Sequence, residues 1–171
     1  MAPRLRDSVC LQPPIHDEPN MRKLFAATLL AIAGLALAAT PVYDEAADAR
    51  ADIRSAQAQA RQAGLPLIVV FGANWCGDCK VLDMAFKSGP AAALMAQHFK
   101  VVKVDVGRLD RNVDVAESLG VPLKSGIPAV AVLSDQGKPI YVTRAGELAD
   151  ARKMGDQAIH DFFARMAGIT R

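Results

Sequence analysis

Apolar positions along this chain fall into short β-type runs separated by longer stretches of helical spacing. Leu67-Ile68-Val69-Val70-Phe71 is uninterrupted and short, the pattern of a strand buried on both faces. Val101 to Val106 is a second β-branched run, with Lys103 set in an alternating pattern. Ala129 to Leu133, the turn residues Ser134-Asp135-Gln136-Gly137 and Ile140 to Thr143 together predict a hairpin. Between these runs the spacing is helical. Tyr43 to Gly64, rich in Ala and Gln and closed by Gly64-Leu65-Pro66, predicts one helix with a glycine past its end. A second helix is expected from Cys76 to about Phe86. Ser88-Gly89-Pro90 then restarts a helical turn that runs through about His98. A short helix follows from about Val113 to Leu119, and Ala149 to Met166 forms the last, with Ile159, Phe162, Phe163 and Met166 on its apolar face. The order α-β-α-β-α-β-β-α requires a mixed sheet with helices on both faces, an α/β fold. No internal repeat and no linker divides it.

The N-terminal region follows a different pattern. Met21-Arg22-Lys23 is a short basic segment, Leu24 to Leu37 is continuously apolar, and Ala36-Leu37-Ala38 offers small residues at a cleavage site, so residues 21–38 are expected to be a signal peptide and the mature protein to begin near Ala39. The apolar stretch is shorter than the roughly 20 residues that a membrane span needs, which makes an uncleaved N-terminal anchor the lesser alternative. Residues 1–20, rich in Pro and mixed charge, precede a signal that has its own methionine, and are read as an extension assigned by too early a start. Cys10 and His16 would then be absent from the working protein. Export by a cleavable signal, with Cys76 and Cys79 as the remaining pair, fits an oxidising compartment, here the periplasm.

At 171 residues and 51% hydrophobic composition the chain can bury a sizeable core and is not a disordered one. Charge discriminates little: residues 39–171 carry sixteen basic and fifteen acidic side chains, for a net +1. No basic stripe with interleaved aromatics points to nucleic acid or to a lipid surface.

The candidate chemistry lies in Trp75-Cys76-Gly77-Asp78-Cys79-Lys80, directly after the first strand. A C-x-x-C that closes a strand and opens a helix suits reversible dithiol/disulfide exchange. The first thiol meets the unpaired N–H groups of the helix start, which favour thiolate, and the second lies on the same helical face, close enough to close a disulfide with it. An inert structural bridge is the competing reading, but so small a loop stabilises little by chain entropy. A metal site would need four suitably spaced ligands; with His98 and His160 on different helices, none is expected, and no cofactor is called for.

Three separated motifs resemble the thioredoxin superfamily over roughly Leu67 to Met166: the Cys76–Cys79 segment, Gly126-Ile127-Pro128-Ala129, and Gly146 after the hairpin. The resemblance implies a thioredoxin-like fold, a central mixed sheet flanked by helices, with an extra N-terminal helix, over residues 39–171. It also implies a cis proline at Pro128 lying against the cysteines, and a substrate groove made by Trp75, Ile127, Pro128 and Gly146. The exported thiol:disulfide interchange proteins are more similar than cytosolic thioredoxins, through the long leading helix and the extra residues Pro122 to Ser125. Three features depart from the family pattern. The dipeptide between the cysteines, commonly Gly-Pro, is Gly77-Asp78. The buried carboxylate of the first central strand is replaced by Val70. Lys103, which matches the lysine that faces that carboxylate, is left without its expected partner.

These residues predict a thiol:disulfide oxidoreductase in which Cys76 attacks a substrate disulfide and Cys79 resolves the mixed disulfide. Its partners would be disulfide-containing exported proteins and a membrane electron donor. Asp78 has three readings: an acid that disfavours the Cys76 thiolate and makes the couple reducing, a base for Cys79, or a solvated acid of the first helical turn. Lys103 is expected in a partly exposed structural role. The alternative function is a redox-inactive thioredoxin-like module that holds a partner protein in the cis-proline groove.

Overall fold

The computed structural model describes residues 40–169. The expected signal peptide, the stretch before it, Cys10 and His16 lie outside the described residues. Helix α1 (Ala49–Ala63) leads into β1 (Leu67–Gly72), followed by α2 (Gly77–Lys87), α3 (Pro90–His98), β2 (Lys100–Asp105), α4 (Val113–Ser118), a 3₁₀ turn (Leu123–Ser125), β3 (Ala129–Leu133), β4 (Pro139–Val142) and α5 (Ala151–Ile169). The four strands form one sheet in the order β2-β1-β3-β4. β1 pairs parallel with β2 and antiparallel with β3, and β3 pairs antiparallel with β4. The sheet is therefore mixed, as the element order requires.

Every residue of β1 is buried, which accounts for its unbroken apolar composition. Leu67, Val69 and Phe71 pack with Val104 and Ala60 on the α1 side. Ile68 and Val70 pack on the other side with Leu82 of α2, Met95 of α3 and Phe163 of α5. The four residues expected on the apolar face of the last helix, Ile159, Phe162, Phe163 and Met166, are all buried. Phe163 meets the Phe86 ring edge-on, with centroids 4.9 Å apart.

Two helices differ from expectation. The first begins at Ala49 rather than Tyr43, because the Asp48 side chain accepts the Ala51 N–H at 3.0 Å and so starts the helix there. The residues before it turn toward the motif loop. The Tyr43 N–H donates to Asn74 Oδ1, and Asn74 Nδ2 donates back to the Tyr43 carbonyl, each at 2.9 Å. The last helix is broken at Gly155, whose φ of 74° and ψ of 161° are not helical, leaving one turn before the break and the long core-packed segment after it. Among the described residues no helix is long and apolar enough to cross a membrane.

Candidate active site

Cys76 caps the N-terminus of α2 with extended backbone, and its Sγ accepts the Cys79 N–H at 3.1 Å. The segment folds this way because β1 ends at Gly72, at the C-terminal end of the central strands, and the next residues have the composition of a helix start. The two cysteines form a disulfide with Cα atoms 5.3 Å apart. Cys76 is 5% exposed and Cys79 0%, so the first sulfur is the one nearer the surface.

The Ile127–Pro128 peptide bond is cis, and the Ile127 carbonyl oxygen lies 3.6 Å from Cys76 Sγ. The loop and the first cysteine therefore meet as the resemblance implies. Trp75 is 56% exposed, held by a hydrogen bond from Nε1 to the Gly107 carbonyl at 2.7 Å. Gly146 has φ 75°, and a side chain there would overlap the Ser125 carbonyl. Its lack of a side chain lets the loop after the hairpin pack against the 3₁₀ turn that precedes Ile127. Ser125 Oγ reinforces that contact by donating to the Arg144 carbonyl at 2.7 Å.

Asp78 is not a solvated acid. It is 7% exposed, and its carboxylate accepts the Arg152 backbone N–H at 2.9 Å and Nε at 3.1 Å. Burial pushes its carboxyl up, but the combined hydrogen bonds and charge of Arg152 bring it below the ordinary carboxylate value. Asp78 thus ties the first turn of α2 to the first turn of α5. Its charge is matched by that of Arg152, 3.1 Å away.

The structure also corrects the reading of Lys103. A carboxylate partner is present, supplied by α2: Lys103 Nζ pairs with Asp83 Oδ1. The other Asp83 oxygen takes Lys87 Nζ at 2.7 Å. Asp83 is 6% exposed. Burial raises its carboxyl, and the two lysines outweigh that and hold it below the ordinary range. Two further residues, to which the sequence assigns no chemistry, are buried where β1 meets the motif, beside Gly72. Tyr43 is fully buried, and Asp105, the register partner of Gly72, is buried at the end of β2. The sequence carried one usable signal, the i,i+4 spacing that places Asp83 on the same face of α2 as Cys79.

Residues 48–135 match the model of the family described as Thioredoxin-like. A solved structure described as a disulphide isomerase from Xylella fastidiosa Temecula1 is 48% identical with a TM-score of 0.73, over 75% of this chain and 98% of that one. Thioredoxin from Borreliella burgdorferi is 31% identical over 74 residues, 43% of this chain and 56% of that protein, so the matched stretch spans little more than half the length of that relative.

Proposed function

This chain belongs to the thioredoxin-like family, and on that footing we propose that it is a protein thiol:disulfide oxidoreductase that exchanges or reduces disulfides in exported proteins. The observation that carries the reading is the position of Cys76, at the start of α2 with the Cys79 N–H on its sulfur and the Ile127 carbonyl beside it. Unpaired N–H groups at a helix start stabilise a sulfur anion and so activate the nucleophile. In the reduced protein the Cys76 thiolate attacks a substrate disulfide and releases one substrate thiolate. Cys79 then attacks Cys76 Sγ, releases the second, and closes the protein disulfide. The extended edge at Ile127 and Pro128 is suited to pairing with a substrate backbone, and Trp75 offers an apolar face beside the nucleophile.

Export rests on the signal-like segment at 21–38, and the periplasm is the proposed location. Electrons for a reducing cycle would come from a membrane donor. With Asp78 neutralised by Arg152, the support for exchange is the 48% identity to a protein described as a disulphide isomerase.

The test is the equilibrium potential of the Cys76/Cys79 pair in protein beginning at Ala39, together with turnover of a disulfide-containing protein. A value near roughly −270 to −180 mV supports reduction or isomerisation, and one near roughly −120 mV reverses the direction to oxidation. A pair that cycles with no thiol buffer replaces this reading with that of a binding module.

A further inference from the structure

The tie between Asp78 and Arg152 has unequal halves. Asp78 is 7% exposed, whereas the Arg152 side chain is 65% exposed, so the pair turns its cation to solvent. A guanidinium carries five N–H groups in a planar fork. Nε donates to Asp78 Oδ2 at 3.1 Å, and Nη2 lies 3.1 Å from the same oxygen. The edge formed by Nε and Nη2 is therefore taken, and among the described residues no acceptor is bound to Nη1. The Arg152 backbone N–H, fixed on Asp78 Oδ1 at 2.9 Å, anchors the residue from its other end. A side chain already ordered in the free protein gives up little entropy when it binds a second group.

The open edge stands beside the nucleophile. A methyl group on Gly77 would meet Arg152 Cδ, Nε and Cζ, each at 3.4 Å. The bare glycine thus lets the side chain lie against the first helical residue of α2. Cζ is then no more than about 9 Å from the Cys76 Cα, since neighbouring Cα atoms are about 3.8 Å apart. Cations on the loops around the motif extend the same charge. Arg108 follows the Gly107 whose carbonyl holds Trp75, and Lys124 and Arg144 lie on the two segments that Ser125 joins near Ile127; all three are exposed. The acids of these segments are engaged locally. Asp110 accepts the Arg108 N–H at 2.8 Å, Glu147 accepts those of Arg144 and Ala145 at 3.0 and 3.1 Å, and Asp150 pairs with Lys153 at 3.3 Å. Residues 39–171 carry a net charge of only +1, so this cationic rim is a local feature and not the character of the whole chain.

We propose that Arg152 is a specificity residue whose open guanidinium edge binds a carboxylate on the substrate chain, within one or two residues of the cysteine that Cys76 attacks. The proposal rests on the oxidoreductase reading and names its preferred substrates, disulfides flanked by Asp or Glu. One or two residues of extended chain span about 3 to 7 Å, which together with an acidic side chain covers the distance from Cys76 to the guanidinium. The fork offers that carboxylate two parallel N–H bonds, the geometry for which arginine is suited and lysine is not.

The experiment uses the reduced protein and three pentapeptides with a central cysteine flanked by Glu, Gln or Lys on both sides, each cysteine carrying thionitrobenzoate in disulfide linkage. Release of thionitrobenzoate in stopped flow gives the second-order rate of attack, and 2-mercaptoethanol on the same peptides gives their intrinsic reactivity. Relative to that reference, wild type is expected to favour the Glu over the Gln peptide about fivefold and the Lys peptide least, with the preference shrinking as salt is raised. Arg152→Gln should bring the preference down to that of the reference, and Arg152→Lys should retain part of it. Arg152→Gln also removes the partner of a buried acid, so Asp78→Asn combined with Arg152→Gln, a neutral pair, is measured beside it and should show the same loss. Variants that slow by one factor on all three peptides and keep the wild-type preference overturn the proposal, since a structural role alone moves the rates together. Wild-type protein that reacts no faster than 2-mercaptoethanol on any peptide overturns the oxidoreductase reading and this proposal with it. Faster reaction with no preference for Glu overturns this proposal alone.

Discussion

The two sulfurs of the disulfide lie in surroundings built from different material. Around Cys76 the contacts are made by backbone: the Cys79 N–H at 3.1 Å and the Ile127 carbonyl at 3.6 Å. Trp75 beside it is itself held through the Gly107 carbonyl. Around Cys79 the neighbours are side chains brought from separate elements, with Tyr43 across the gap at Gly72 and Asp83 one turn along α2. Backbone donors and acceptors stay in place when side chains change. The attacking half of the site therefore follows from the fold, and the surroundings of Cys79 from particular side chains.

The sharpest way to break this comparison is to remove each sulfur separately. Cys76→Ser is expected to abolish turnover, whereas Cys79→Ser should keep the first attack and accumulate mixed disulfides, visible on non-reducing gels. Equal turnover in the two variants would erase the distinction between the halves. Gly72→Ala tests the gap behind Cys79. The added methyl collides with the Tyr43 hydroxyl and is expected to destabilise the protein by about 2–3 kcal/mol, read as a lower denaturant midpoint; an unchanged midpoint would mean that the gap is slack. Arg152→Ala leaves Asp78 buried with backbone N–H groups, that of position 152 and its own, as partners, a loss of about 1 kcal/mol because the guanidinium is itself largely exposed.

The smallest expected effect is on pH dependence. The Asp78 and Asp83 carboxyls lie below their ordinary value in the folded chain. Each contributes stability that is complete above the unfolded carboxylate value of about 3.9 and is lost as pH falls through the lowered folded value. Urea melts should therefore show a contribution that is flat from neutrality to about pH 5 and declines in acid. Arg152→Ala should shallow that decline, and a variant that keeps the full acid slope would show that the latch carries none of it.

What could be read from the sequence divides along the same line. β1 was legible because a strand buried on both faces must be apolar throughout. The cysteines were legible because a strand end followed by a helix start places them, and the Ile127-Pro128 loop through its resemblance to the family motif. The start of α1 was not, since Ala- and Gln-rich composition extends the helical pattern and the Asp48 cap that limits it is a single residue. Asp78 drew attention through its position between the cysteines. One residue along an α-helix is a turn of about 100°, however, and its carboxylate is engaged by Arg152 of α5. Asp83 has the favourable spacing, but its partner Lys103 comes from β2 and became visible only with the register Val70↔Lys103 in place. Tyr43 precedes its helix, and no local pattern marks it.

The Asp78–Arg152 pair joins positions 74 residues apart, and this limits how the active site can be transplanted. Cys-Gly-Asp-Cys is not a portable cassette. Grafted into a relative whose last helix begins without an arginine, it would place an acid under that helix with no counter-charge, and a proline put at position 78 here would leave Arg152 without its acceptor. Chimeras of this fold should exchange the tetrapeptide and the opening turn of the final helix as one unit.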